Sequence, residues 1–145
     1  MHGFVSHYTN KLDAKGRVSI PAQFRRVLEA CDPGWSDGKA PEFVIVYGDD
    51  SRSFLECYTM EAIEEVDRKI SKMPRGSQKR RALETLFSGQ SLTTSVDETG
   101  RIVLPQKLRR KIDISDEAYF IAAVDTFQIW KPETYEREMG AKLAA

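Results

Sequence analysis

Residues 13–21, Asp-Ala-Lys-Gly-Arg-Val-Ser-Ile-Pro, return at 97–105 as Asp-Glu-Thr-Gly-Arg-Ile-Val-Leu-Pro. Laid over one another at an offset of 84, the two stretches match beyond their ends. Leu12 meets Val96, Phe24 meets Leu108, Arg25 meets Arg109, Arg26 meets Arg110 and Leu28 meets Ile112. The chain is therefore one supersecondary unit written twice. At 145 residues it is long enough for one domain, or for two small ones sharing a core. A repeat of about 60 residues is near the lower limit for an independent core, so the halves are expected to fold together.

Each copy reads as strand, turn, strand, helix, hairpin, helix. Residues 3–12 read as a strand, with Phe4, Val5, Tyr8 and Leu12 as its apolar content. Asp13 suits the first position of a tight turn because its carboxylate accepts turn N–H groups. Gly16 suits the fourth, which favours positive φ. A type I turn with a glycine bulge is a standard hairpin connection, which predicts that residues 17–20 fold back on the first strand. Pro21 and Pro105 open helices, since their missing N–H falls in the unpaired first turn. Phe24, Val27, Leu28 and Cys31 recur at helical spacing. A hairpin is expected at 43–47 with 54–58. Helices follow at 62–73, capped by Thr59, and at about 77–89, capped by Ser77. The second copy then runs through a strand at 92–96, the repeated turn, a helix to Ile112, a hairpin across Asp125-Thr126 and a closing helix from Pro132. Division of the chain follows as 1–73, a helical connector 74–91, and 92–145. Paired strand–turn–strand units imply an α+β fold built on a shared β-barrel with helices packed outside.

Formal net charge is zero, yet residues 11–28 carry +4 and residues 96–112 carry +3, leaving −7 elsewhere. Charge segregated in this way supports a positive face, and for an anionic partner the local field outweighs the total. Arg17 and Arg101 leave rigid glycine turns, which restricts where each guanidinium can go. Such a planar fork suits phosphate or guanine O6/N7. Asp13 and Asp97 pin the turns and orient the arginines; a purely structural salt bridge is the competing reading. Arg25, Arg26, Arg109 and Arg110 extend the basic unit, or else form a solvated helix face. The cluster Arg75, Lys79, Arg80 and Arg81 has the same two readings.

No catalytic constellation is present. His2 and His7 have no clustered Cys or carboxylate partners. Cys31 and Cys57 lack metal spacing and read as reduced thiols. Gly16 and Gly100 are single turn glycines, not a phosphate-cradling loop. Trp35, Tyr58, Trp130 and Tyr135 read as core or interface residues. No run is long enough to span a membrane, and the N-terminus lacks signal-peptide regions, which leads to the expectation of a cytoplasmic protein.

At its paired Asp-x-x-x-Arg turns the chain resembles the MraZ family of transcriptional regulators, encoded at the head of bacterial division and cell-wall gene clusters. The resemblance covers essentially the whole chain. It rests on 13–21 and 97–105 with their trailing Pro-x-x-Phe/Leu-Arg. It implies two tandem AbrB-like repeats forming a pseudo-twofold swapped-hairpin β-barrel from one chain. It further implies a ring-forming homo-oligomer that binds direct repeats of double-stranded DNA in its own promoter, acts mainly as a repressor and is nucleoid-associated, with no cofactor, membrane or small-molecule substrate. The resemblance carries over Asp13, Arg17, Asp97 and Arg101, with Lys15 in the same loop; joined to the turn glycines and basic helix residues read above, the expected DNA-binding set is Asp13, Lys15, Gly16, Arg17, Arg25, Arg26, Asp97, Gly100, Arg101, Arg109 and Arg110. Lys15 is matched by Thr99, with Glu98 before it, so the two copies need not touch DNA equally. Alternatives are a ring-forming scaffold for a protein partner and an antitoxin-like AbrB relative; the folded second repeat speaks against the latter.

Overall fold

The computed structural model describes residues 3–144. Its strands are β1 (His7–Lys11), β2 (Arg17–Ser19), β3 (Glu42–Val46), β4 (Phe54–Thr59), β5 (Ser91–Ser95), β6 (Arg101–Val103), β7 (Glu117–Ala123) and β8 (Thr126–Trp130). Its helices are α1 (Ala22–Ala30), α2 (Met60–Ser71), α3 (Gln78–Glu84), α4 (Gln106–Lys111) and α5 (Pro132–Ala144). The chain is α+β, and the pairings between its strands are antiparallel. Six strands form one sheet in the order β1-β7-β8-β4-β3-β5, while β2 and β6 make a separate two-stranded ribbon.

Strand exchange between the repeats dominates. The turn at 13–16 was expected to join a local hairpin, but β1 and β2 form no ladder: they share the isolated bridge Leu12–Val18, and Asn10 Nδ2 donates to Ser19 O at 2.7 Å. β1 pairs with β7, and β2 pairs with β6. In the ribbon Arg17 faces Val103, Val18 faces Ile102 and Ser19 faces Arg101. At the repeat offset of 84, Val18 and Ile102 are equivalent residues, so the local twofold passes between them. Two further bonds obey it: Ile20 N–H donates to Gly100 O at 2.9 Å, and Leu104 N–H to Gly16 O at 2.8 Å. The turn chemistry is local and formed as expected. Choice of partner is not local, and burial of Val18 and Ile102 against each other decides it.

The main core draws on both repeats. Phe24 of α1 is fully buried and meets Phe4, Tyr8, Phe120 and Phe127 edge-on or tilted. Cys31 and Cys57 are free buried thiols. β3 is buried on both faces: Phe43 and Ile45 join the main core, Val44 and Val46 a smaller one with Ile63. Leu86 and Phe87 cover that second cluster. They sit on a π-helical turn, Thr85–Gly89, which ends the single helix expected at 77–89. Thr59 and Ser77 cap α2 and α3, accepting from Ala62 N–H at 3.0 Å and Arg80 N–H at 3.2 Å. The strand expected from Gly3 starts only at His7, because Ser6 takes φ of 74°.

Candidate nucleic-acid interface

The two corners preceding β2 and β6 share one backbone design. Gly16 N–H donates to Asp13 O, and Gly100 N–H to Asp97 O, each at 3.0 Å. Asp13 N–H and Asp97 N–H return to Arg17 O and Arg101 O at 3.0 and 2.8 Å. Asp13 Oδ1 accepts from Lys15 N–H at 3.0 Å and Arg17 N–H at 2.9 Å. Asp97 Oδ1 accepts from Thr99 N–H and Arg101 N–H, both at 2.9 Å. A carboxylate accepting backbone N–H groups prefers its charged form. Accordingly the Arg17 N–H holds the Asp13 carboxyl below the usual range, and the Arg101 N–H does the same for Asp97. Both corners are therefore charged and closed at neutral pH.

The side chains differ. Arg17 Nε donates directly to Asp13 Oδ2 at 2.7 Å. Arg101 Nε instead donates to Thr99 Oγ1 at 2.9 Å, and that hydroxyl donates to Asp97 Oδ1 at 2.7 Å. Arg101 Nε stands 3.9 Å from Asp97 Oδ2. Thr99 thus relays what Asp13 does alone, a role that sequence reading missed. The signal was there: a hydroxyl replaces the Lys15 side chain at the equivalent place. In both corners Nε is occupied, and among the described residues the guanidinium tip makes no hydrogen bond.

Pleating puts Val18 and Ile102 inward and Arg17, Ser19, Arg101 and Val103 on the outer face. Arg17 and Arg101 are therefore diagonal neighbours on one exposed face. Lys15 is exposed at the tip of the first corner. Arg26 and Arg110 are exposed, and among the described residues neither side chain has a protein hydrogen bond or ion pair.

Arg25 and Arg109 are placed differently. Each lies against the corner of the opposite repeat. A Cβ on Gly16 would fall 2.9 Å from Arg109 Nε, and one on Gly100 would fall 2.6 Å from Arg25 Nη1. Arg109 Nε donates to Leu104 O at 3.0 Å, and its Nη1 to Ala14 O at 3.5 Å. Of the other basic cluster, Arg80 is buried. It donates to Met73 O at 2.6 Å and Ser71 O at 3.4 Å, and it pairs with Glu84 at 3.1 Å. Its charge caps the C-terminal end of α2, which explains a cation near the start of α3.

Among the described residues no group of three or more His, Cys, Asp or Glu could hold a metal, and no helix is long and apolar enough to cross a membrane. His7 lies against Tyr119; His2 falls outside the described residues. Trp130 is buried, stacked on Phe54 and edge-on to Tyr135.

Fold and face together define a class: duplicated α+β proteins that trade short strands between repeats and present braced arginines on the resulting ribbon. A family model described as "MraZ protein, putative antitoxin-like" matches residues 86–141. The Transcriptional regulator MraZ of Ruegeria sp. (strain TM1040) is 71% identical, covering 90% of this chain and 77% of that protein. That of Ruegeria pomeroyi is 66% identical, over 93% and 81% of the two chains. That of Cereibacter sphaeroides (strain ATCC 17029) is 47% identical, over 96% and 86%. The chain belongs to the MraZ family of transcriptional regulators.

Proposed function

We propose that the chain regulates transcription by binding double-stranded promoter DNA sequence-specifically through the β2–β6 ribbon. In this reading it represses the promoter of its own division and cell-wall gene cluster. The observation that carries this is the pair Arg17 and Arg101 on one outer face, each fixed at Nε with its tip free. A two-stranded ribbon fits the major groove, and an arginine fork matches guanine O6/N7 or a phosphate. Lys15, Arg26 and Arg110 neutralise flanking phosphates. Asp13, Gly16, Asp97 and Gly100 shape the corners, and Arg25 and Arg109 stand behind them.

The finer architecture belongs to the same proposal. Repeats 1–73 and 92–145, joined by the connector 74–91, close a pseudo-twofold AbrB-like swapped-hairpin barrel with helices outside. Several copies assemble into a ring in the cytoplasm, at the nucleoid, and engage direct repeats. Assembly raises affinity by effective concentration without new contacts.

Fluorescence anisotropy with promoter DNA tests the reading. Each bidentate contact contributes about 1–3 kcal/mol, so R17A with R101A should weaken binding by at least about 30-fold. Unchanged affinity in that double variant would overturn the DNA role of the ribbon. Light scattering that finds monomers alone at micromolar concentration would overturn the ring.

A further inference from the structure

Arg25 and Arg109 occupy equivalent positions in the two repeats, and each reaches the other repeat's corner. The ribbon's twofold makes these one contact seen twice. Gly16 and Gly100 have φ of 86° and 81° and are buried. Their missing Cβ leaves bare backbone on which a guanidinium rests. At the first corner Arg109 ties Leu104 O, which follows β6, to Ala14 O inside the turn. That turn aims Arg17. At the second corner Arg25 rests on Gly100, beside the residues that brace Arg101. It also lines an open groove with Glu29, Trp35, Asp97, Glu98 and Thr99.

We propose that Arg25 and Arg109 are crossed positioning residues: Arg109 of the second repeat sets the aim of Arg17, and Arg25 of the first sets the aim of Arg101. The inference rests on the DNA reading of the ribbon. It gives the crossing a purpose, because neither corner can be held in register unless the other repeat is docked. Two DNA-facing arginines are thereby presented as a pair. Arg109 reaches the first corner through one long hydrogen bond, to Ala14 O at 3.5 Å, and is itself fixed by Leu104 O, whereas among the described residues Arg25 meets the second corner by packing, so Arg109 exerts the stronger hold.

Two measurements on the full-length chain test this. In DNA-free protein, hydrogen exchange is followed at the Lys15 and Arg17 amides and at the Thr99 and Arg101 amides. R109A should speed exchange at the first pair and spare the second; R25A should do the reverse, more weakly. Acceleration confined to the mutated residue's own repeat, or none anywhere, overturns the crossing. In DNA titrations, double-mutant cycles should show R109A coupled to R17A by about 3- to 30-fold and additive with R101A, with R25A mirroring it. The salt slope should stay unchanged in R25A and R109A, whereas loss of a direct phosphate contact would lower it by about 1. R109K keeps the charge and the long stem but loses the fork. It folds if R109A does not, and under our proposal it fails to restore affinity; restored affinity would mark a phosphate contact instead. If R17A and R101A leave DNA binding untouched, the DNA reading fails, while the exchange data still decide the crossed hold.

Discussion

Gly16 and Gly100 are equivalent by repeat, yet their surroundings differ. Both need the left-handed region, where a side chain costs about 1–2 kcal/mol. At Gly16 the added Cβ would also stand 2.5 Å from Leu104 O, a backbone atom already accepting from Arg109. It could be relieved only by parting β2 from β6. At Gly100 the clash is with the end of the Arg25 side chain, which can swing away. Urea unfolding should therefore show G16A destabilised by about 2–4 kcal/mol and G100A by about 1–2 kcal/mol. Equal losses would mean that Leu104 yields freely. The same asymmetry runs through the arginines: Asp13 grips Arg17 directly, whereas Thr99 interposes its hydroxyl before Arg101. One turn sequence with one substitution thus gives a stiff corner and a softer one.

Among the elements, α3 carries a charge that looks misplaced until its neighbour is considered. Arg80 stands near the helix start, where the dipole disfavours cations, but it satisfies carbonyls at the end of α2. Hydrogen bonds from a buried charge contribute about 1.5–3 kcal/mol, so R80A should lower stability by about that amount in urea unfolding. DNA affinity of the folded R80A protein should match that of the parent; a loss would make this cluster a second anionic contact. Such a role was not legible in the sequence, since it depends on which two helices meet. What the sequence did carry is local: the Asp13–Gly16 corner, the Pro21 and Pro105 helix starts, the Thr59 and Ser77 caps and the inward alternation of Val18 and Ile102. What it concealed is non-local. Nothing in residues 13–21 says that β2 prefers β6 to β1, because the same turn chemistry serves both. The crossing of Arg25 and Arg109 was hidden for the same reason, although the bare Gly and the repeated Arg were each visible.

At the level of the whole molecule, strand exchange makes the halves interdependent. β1, β2, β3 and β4 each pair with a strand from beyond residue 90, and Phe24 fills a core completed by Phe120 and Phe127. Docking of the repeats is thus what creates the ribbon that carries Arg17 and Arg101. The charge distribution fits this division. Residues 11–28 and 96–112 hold the positive excess, while α2 exposes Glu61, Glu64, Glu65 and Asp67. Under the proposed reading, a chain of zero net charge still offers an anion a local positive field. If each chain neutralises about four phosphates, log affinity should fall against log salt with a slope near −3.6. Raising salt from 50 to 200 mM should weaken binding per chain by about 100-fold. Where both ribbon arginines meet phosphate, removing them takes away about two of those contacts, and the slope for R17A with R101A should move to about −1.8. A parent slope near zero would mean that the segregated charge does not meet phosphate. A double variant that loses affinity but keeps the parent slope would mean that the two arginines touch bases and that Lys15, Arg26 and Arg110 meet the phosphates; one that keeps both would move the contact off the ribbon.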